Sequence, residues 1–175
     1  ADFASVEKLA EFIAGKKTRF SLEGINWSKI LQEKVHLSLP RSGFMHNSLK
    51  TISKLFLRMS LRIRGEGIEN LPDSPCIIAP NHQSILDGFL VASFFKRNFM
   101  KKTFVYAKEQ HFKNPLLKFL AHRNNIILVD INKDLKASIQ KLAEVLKKEK
   151  NLMIFPEGTR TLNGKLGDFK QTFAI

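Results

Sequence analysis

One cysteine, Cys76, stands in a chain of 175 residues, so no internal disulfide can form and a reducing compartment is the natural reading. The five histidines are scattered and share no ligand spacing with that cysteine, so no resident metal is expected. No run reaches the roughly 18 to 20 apolar residues that span a bilayer; the best, "ILDGFLVASFF" at 85–95, contains Asp87 and stops at Lys96 and Arg97. The first residues do not read as a signal peptide, and neither internal repeats nor low-complexity segments occur. Acidic residues are also few: 16 Asp and Glu face 29 Lys and Arg, a formal net charge of +13. That imbalance points to an anionic partner: a phospholipid surface, a phosphorylated substrate or nucleic acid. Most of the phenylalanines sit in apolar runs and are not interleaved with basic residues, which argues against the stacking surfaces of nucleic-acid binders.

What is present is enough apolar sequence, 43%, to bury a real core in one domain with some extra chain. Residues 1–15 read as an amphipathic helix with Val6, Leu9, Phe12 and Ile13 on one face, Ser5 as N-cap and Gly15 as stop. It resembles the closing helix of an acyl carrier domain, which would make the chain part of a longer multidomain protein. Residues 16–44, broken by Gly24, Pro40 and Gly43, read as a linker with a helical turn or two. From 45 to 175 the pattern tightens into a domain. A helix at about 48–59 carries Ile52, Leu55, Phe56 and Met59 on one face and Lys50, Lys54 and Arg58 on another. Two readings stand for it: packing on its own domain, or lying on a membrane as a basic amphipathic helix. Beyond it, strands are expected at about 61–65, 75–80, 103–107, 125–130 and 152–155, and helices at about 84–96, 109–121 and 134–149. Strand and helix in alternation mean an α/β domain, a mixed and largely parallel sheet flanked by helices.

Two polar clusters interrupt this pattern. "IIAPNHQSILDG" at 77–88 ends an apolar run in Pro80 and then presents His82 and Asp87. Five residues apart, the two would lie roughly 140° from each other on a helix. They can meet only if His82 sits in a loop and Asp87 in the first turn of a following helix, which makes a base with an orienter. "IFPEGTRT" at 154–161 repeats the logic, ending a run in Pro156 and presenting Glu157, Gly158, Thr159 and Arg160. Gly158 permits close approach of the backbone, and Arg160 offers a fork of donors for phosphate or carboxylate. Glu157 accepts only, so it would orient the loop, hold Arg160 or bind a substrate hydroxyl.

Together, in this order and about 70 residues apart, "NHQSILD" and "FPEGTR" look like the first and third blocks of the glycerolipid acyltransferases, the family of the 1-acyl-glycerol-3-phosphate acyltransferases. "GEGIENLPDSPCIIAPNHQS", "AKEQHFKNPLLKFL" and the closing "FKQTFAI" are similar to that family's segments too. The resemblance implies an O-acyltransferase that moves a fatty acyl group from a thioester donor, acyl-CoA or acyl carrier protein, to a hydroxyl of a lysophospholipid or glycerol phosphate. His82 would be the general base and Asp87 its orienter, with Glu157, Gly158, Thr159, Arg160 and Lys108 in substrate binding and no bound cofactor. Backbone N–H groups after His82 or at Gly158 are the candidate oxyanion donors. Such a protein would work in the cytoplasm, peripherally on the inner face of a membrane with an anionic surface, and would not bind nucleic acid. The rival is a non-catalytic basic module that binds membrane or nucleic acid; spacing alone also leaves open a hydrolase that uses the same base on water.

The resemblance has departures. The family's second block has a Gly near the start of its strand and an Arg after it, where "NIILVDI" has Asn125 and Ile131. Arg123 or Lys133 would have to replace that anion contact, or the acceptor differs. The family's domain also continues through a fourth, Pro-containing block, so a C-terminal part beyond Ile175 is expected.

Overall fold

Short apolar strands separated by helices build the fold of this computed structural model, which describes residues 26–33, 38–40, 44–73, 75–131, 133–161 and 163–170. The expected helix at 1–15 lies outside the described residues. Helix α1 (Trp27–Gln32) falls where a helical turn or two was expected and starts on the Asn26 side chain, which accepts from the Lys29 N–H. Then come α2 (Phe44–Leu61), β1 (Ile77–Ile78), α3 (Asp87–Ser93), α4 (Arg97–Lys102), β2 (Thr103–Lys108), α5 (Pro115–Arg123), β3 (Ile126–Val129), α6 (Leu135–Lys147) and β4 (Asn151–Met153). Caps fix the boundaries of the later helices. Asn114 with Pro115 at the first helical position starts α5 well after the expected 109, and Asp134 accepts from the Ala137 N–H at the head of α6.

The expected strand at 61–65 does not form. Leu61 closes α2, Arg62 takes a left-handed φ of 47°, and residues 62–66 join no ladder before Gly67, itself at φ 71°. The expected helix at 84–96 divides into α3 and α4, since Lys96 is extended (ψ 151°) and breaks the run.

The sheet order is β1-β4-β2-β3, and all three ladders are parallel. Alternation along the strands sorts the core into two faces. Phe104 and Tyr106 of β2, Ile127 and Val129 of β3, and Leu152 and Ile154 point to α6, where Leu142 and the fully buried Val145 meet them. Met153 points the other way, to Phe95 and Met100, with Ile78, Val91 and Phe155 around them. Helices thus cover both faces, as a parallel sheet requires. At the N-terminal ends of the strands Asn151 accepts from the Cys76 N–H (3.3 Å) and donates to Thr103 Oγ1 (3.3 Å), while Asn125 donates to the Thr103 carbonyl (3.3 Å).

Helix α1 docks on α6 through Gln140, which donates to the Ile30 carbonyl (3.2 Å), and through the Lys136–Glu33 ion pair (2.9 Å). Helix α2 lies against α3, but Leu57 is its buried residue among the described side chains. Ile52, Leu55, Phe56 and Met59 are all exposed, Met59 to 73%, so this face does not pack on the domain. Lys54 is half-buried, and the side chains of Lys50 and Arg58 lie outside the described ones. None of the described helices is long and apolar enough to cross a membrane.

If α6 carries one wall of the core, Leu142→Ala should cost about 2 to 5 kcal/mol and leave a lower denaturation midpoint. Leu116→Ala on the exposed side of α5 should stay within about 0.5 kcal/mol of wild type in the same titration.

Candidate active site

Both polar clusters leave the same edge of the sheet because β1 and β4 are neighbours. Ile78 pairs with Met153 in parallel register, so His82 and Glu157, each four residues further on, emerge side by side at the C-terminal ends of the strands. The His82 N–H donates to Glu157 Oε1 at 2.7 Å across 75 residues of chain. In open α/β sheets this edge is where ligands bind.

His82 sits in the loop after β1, and Asp87 opens α3. Their side chains meet, His82 Nδ1 lying 3.1 Å from Asp87 Oδ2. The same oxygen accepts the backbone N–H groups of Gln83 and Ser84, both at 2.7 Å. Burial by itself raises the Asp87 pKa, but the hydrogen bonds from Ser84, His82 and Gln83 outweigh it and hold the carboxyl below its ordinary 3.8. Asp87 is therefore ionised at neutral pH and can only accept, so in the neutral imidazole the proton sits on Nδ1 and the lone pair on Nε2. The ring also stacks on Phe155, centroids 4.1 Å apart and planes inclined by 26°. Phe155 was legible only as the end of an apolar strand; its side comes from its parity with Met153.

The second cluster is a folded loop. Pro156 is buried, and its carbonyl accepts from the Lys170 N–H (2.8 Å). Gly158 has φ 69°, a left-handed turn that a side chain would strain, and its carbonyl accepts from Lys108 Nζ. Lys108, at the end of β2, so ties a third strand to this loop. Glu157 is 2% exposed and accepts from the His82 N–H and, through Oε2, from the Gly167 N–H at 2.8 Å. Of the three uses its sequence allowed, loop orientation is the one these bonds serve. Thr159 and Arg160 are exposed, and the neighbouring Thr161 N–H donates to the His82 carbonyl at 2.8 Å.

The expected oxyanion donors are already engaged. The Gln83 and Ser84 N–H groups bind Asp87, and the Gly158 N–H binds the Phe155 carbonyl at 3.0 Å. The second-block departures separate in the fold. Asn125, where the family has Gly, takes φ 54°, a conformation Asn tolerates better than most residues. Ile131 packs against the main core. Arg123 precedes β3, over the Phe119 ring, and is at the wrong edge of the sheet to replace the missing Arg; Lys133 follows β3 at the right one. No group of His, Cys, Asp and Glu among the described residues could hold a metal.

The Asp87 carboxyl has a pH signature. Its folded-state pKa is lowered, so its contribution to stability is complete above 3.8 and is lost as pH falls through the lower folded value. Thermal unfolding of wild type and Asp87→Asn should show a gap that closes as pH falls through that acid range; a gap that persists there unchanged would contradict the assignment.

The chain is similar in sequence to known proteins. The acyltransferase family model matches residues 62–175. The chain is 32% identical over 137 residues, 75% of its length, to a chloroplastic 1-acyl-sn-glycerol-3-phosphate acyltransferase of Arabidopsis thaliana. It is 32% identical over 117 residues, 63% of its length, to a 1-acyl-sn-glycerol-3-phosphate acyltransferase of Pseudomonas aeruginosa, and 34% identical over 118 residues, 66% of its length, to that of Saccharomyces cerevisiae. The matches span 36%, 42% and 37% of those relatives' own lengths. With paired strands that bring the first and third blocks together and a family model that covers most of the sequence, the chain belongs to the glycerolipid acyltransferase family.

Proposed function

We propose that the protein transfers a fatty acyl group from a thioester, acyl-CoA or acyl carrier protein, to the hydroxyl of a lysophospholipid or glycerol phosphate, with His82 as general base. The observation that carries this reading is the His82–Asp87 pair, which fixes the proton on Nδ1 and leaves Nε2 to act. Nε2 takes the acceptor's hydroxyl proton as the oxygen attacks the thioester carbonyl; on collapse the C–S bond breaks and the imidazolium returns the proton to the leaving thiolate. Asp87 stays ionised throughout and stabilises the imidazolium, as in a Ser-His-Asp triad whose Ser is replaced by the substrate alcohol.

In this reading Arg160, exposed one residue from the Thr161 contact with His82, binds the acceptor's phosphate with its planar fork. Lys108 shapes the loop through Gly158 and retains donors for the same anion. The surroundings suit a lipid. Ile85, Leu86 and Phe89 beside Asp87 are exposed, as are Leu166 and Phe169 on the far loop. An open apolar cavity of about 320 Å³ adjoins α3, lined by Ile68, Leu71, Ile78, Leu90, Val91 and Phe94. Leu90 and Val91 follow Asp87 by three and four residues, on the same side of the helix, which supports this cavity as the seat of the acyl chain.

In the full-length protein, folded His82→Ala should lose about 10² to 10⁴ in turnover, and Asp87→Asn a comparable factor. A labelled acyl thioester supplied with and without lysophospholipid checks both. Near-normal transfer by His82→Ala would sink the mechanism, and release of label to water whether or not acceptor is present would make the protein a hydrolase.

The reading extends to a peripheral site of action on the cytoplasmic face of a membrane. Its support is the exposed face of α2, together with the excess of basic residues. Vesicle binding should rise with anionic lipid content and fall with salt, and it should weaken when Lys50, Lys54 and Arg58 become Gln, each by about 1 kcal/mol at most. Equal binding to neutral and anionic vesicles would remove the electrostatic part of the claim.

A further inference from the structure

The His82 ring is held by Asp87 and Phe155, but a ring is no better placed than the backbone that carries it. Here both polar groups of that backbone are engaged by one loop. The His82 N–H donates to Glu157 Oε1 (2.7 Å), and the His82 carbonyl accepts from the Thr161 N–H (2.8 Å) and more weakly from Thr161 Oγ1 (3.4 Å). The second oxygen of Glu157 accepts from the Gly167 N–H (2.8 Å). A Cβ at Gly167 would stand 2.7 Å from Glu157 Oε2 and 2.9 Å from Thr161 Cγ2, so the approach of this segment depends on the absence of a side chain there. The carboxylate is 2% exposed, which leaves it almost no surface to offer a substrate.

We propose that Glu157 is a positioning residue, a buried clamp that fixes the main chain of His82 to the 161–167 segment, and that it does not bind the acceptor. This rests on the reading of His82 as the base, because the clamp matters to turnover through the placement of that ring. Glu157→Gln keeps shape and volume, but an amide has one accepting oxygen, so one of the two N–H donors faces a second donor and one bond is lost. Gly167→Ala reaches the same clamp from the other side, in a residue that carries no chemistry.

Steady-state kinetics of the full-length protein with a lysophospholipid acceptor and an acyl-CoA donor should show kcat reduced about 10²-fold in both variants, with both KM values unchanged. A displacement of about 1 Å at a reacting group commonly has that effect, whereas lost binding raises KM. Amide hydrogen exchange on the substrate-free protein gives a second readout: His82 and Gly167 should be protected in wild type, and both should exchange about tenfold faster or more in Glu157→Gln. A raised acceptor KM at constant kcat would return Glu157 to substrate binding and overturn the proposal, as would normal kcat in Gly167→Ala. Unprotected His82 and Gly167 amides in wild type would overturn it also, and that arm decides the matter if Glu157→Gln does not fold. The exchange data do not depend on the reaction, so failure of the clamp is distinguishable from failure of His82 as base.

Discussion

The parallel pairing of β1 with β4 is the constraint on which the site depends. Only two residues of β1 enter the ladder, Ile77 and Ile78, yet their register against Leu152 and Met153 decides where every later group falls. A slip of one residue would turn Ile78 and Met153 to opposite faces, because side chains alternate along a strand, and would carry the loops that follow with them. The pairing is secured from below by the Asn151 side chain, which reaches both the Cys76 N–H and Thr103, and from above by the bonds between His82, Glu157 and Thr161. A two-residue strand is thus held at both ends by side chains of its partner's segment. That compensates for a ladder too short to fix its own register.

The electrostatics of the site run against those of the chain as a whole. In a protein with a net charge of +13, the groups that organise the catalytic edge are two carboxylates, Asp87 and Glu157, each surrounded by backbone N–H donors. Backbone donors cannot titrate and are fixed by the fold, so they set the carboxylate positions without competing for the cations that a phosphate needs. The exposed Arg160 therefore remains available, and Lys108 binds a carbonyl and not an acid. The division is physical: the two acids hold the loops together, and Arg160 stays at the exposed rim.

Much of this was legible in the residues, and the exceptions have identifiable causes. The His82–Asp87 contact followed from spacing, since a separation of five can close only across a loop-to-helix junction. The alternating elements gave an α/β sheet, and the all-parallel order agrees with strands separated by helices. The false strand at 61–65 shows the limit of pattern: Arg62, Ile63 and Arg64 alternate as a strand should, but Arg62 turns left-handed and the segment finds no partner. Pairing is a property of the neighbour as much as of the run. The stacking of Phe155 on His82 was likewise hidden, because it depends on which residues face each other across two strands distant in sequence, and the Gln83, Ser84 and Gly158 N–H groups turned out to be taken by acceptors three or four residues away.

The second-block substitutions show how one motif can serve two separable physical needs. The Gly position requires a left-handed backbone where β3 begins, and Asn125 supplies it at φ 54° while its side chain donates to the Lys101 and Thr103 carbonyls. The conformational need is met, at the opposite edge of the sheet from His82. The Arg position is chemical, lies past the C-terminal end of β3, and is filled by Ile131 against the core. An Ile there puts no cation at the His82 end of the sheet and leaves the scaffold intact. Arg160, Lys108 and Lys133 stand at or past the C-terminal ends of three different strands, β4, β2 and β3. Under the proposed function, an anionic acceptor would meet these cations from across the sheet and not from any single block.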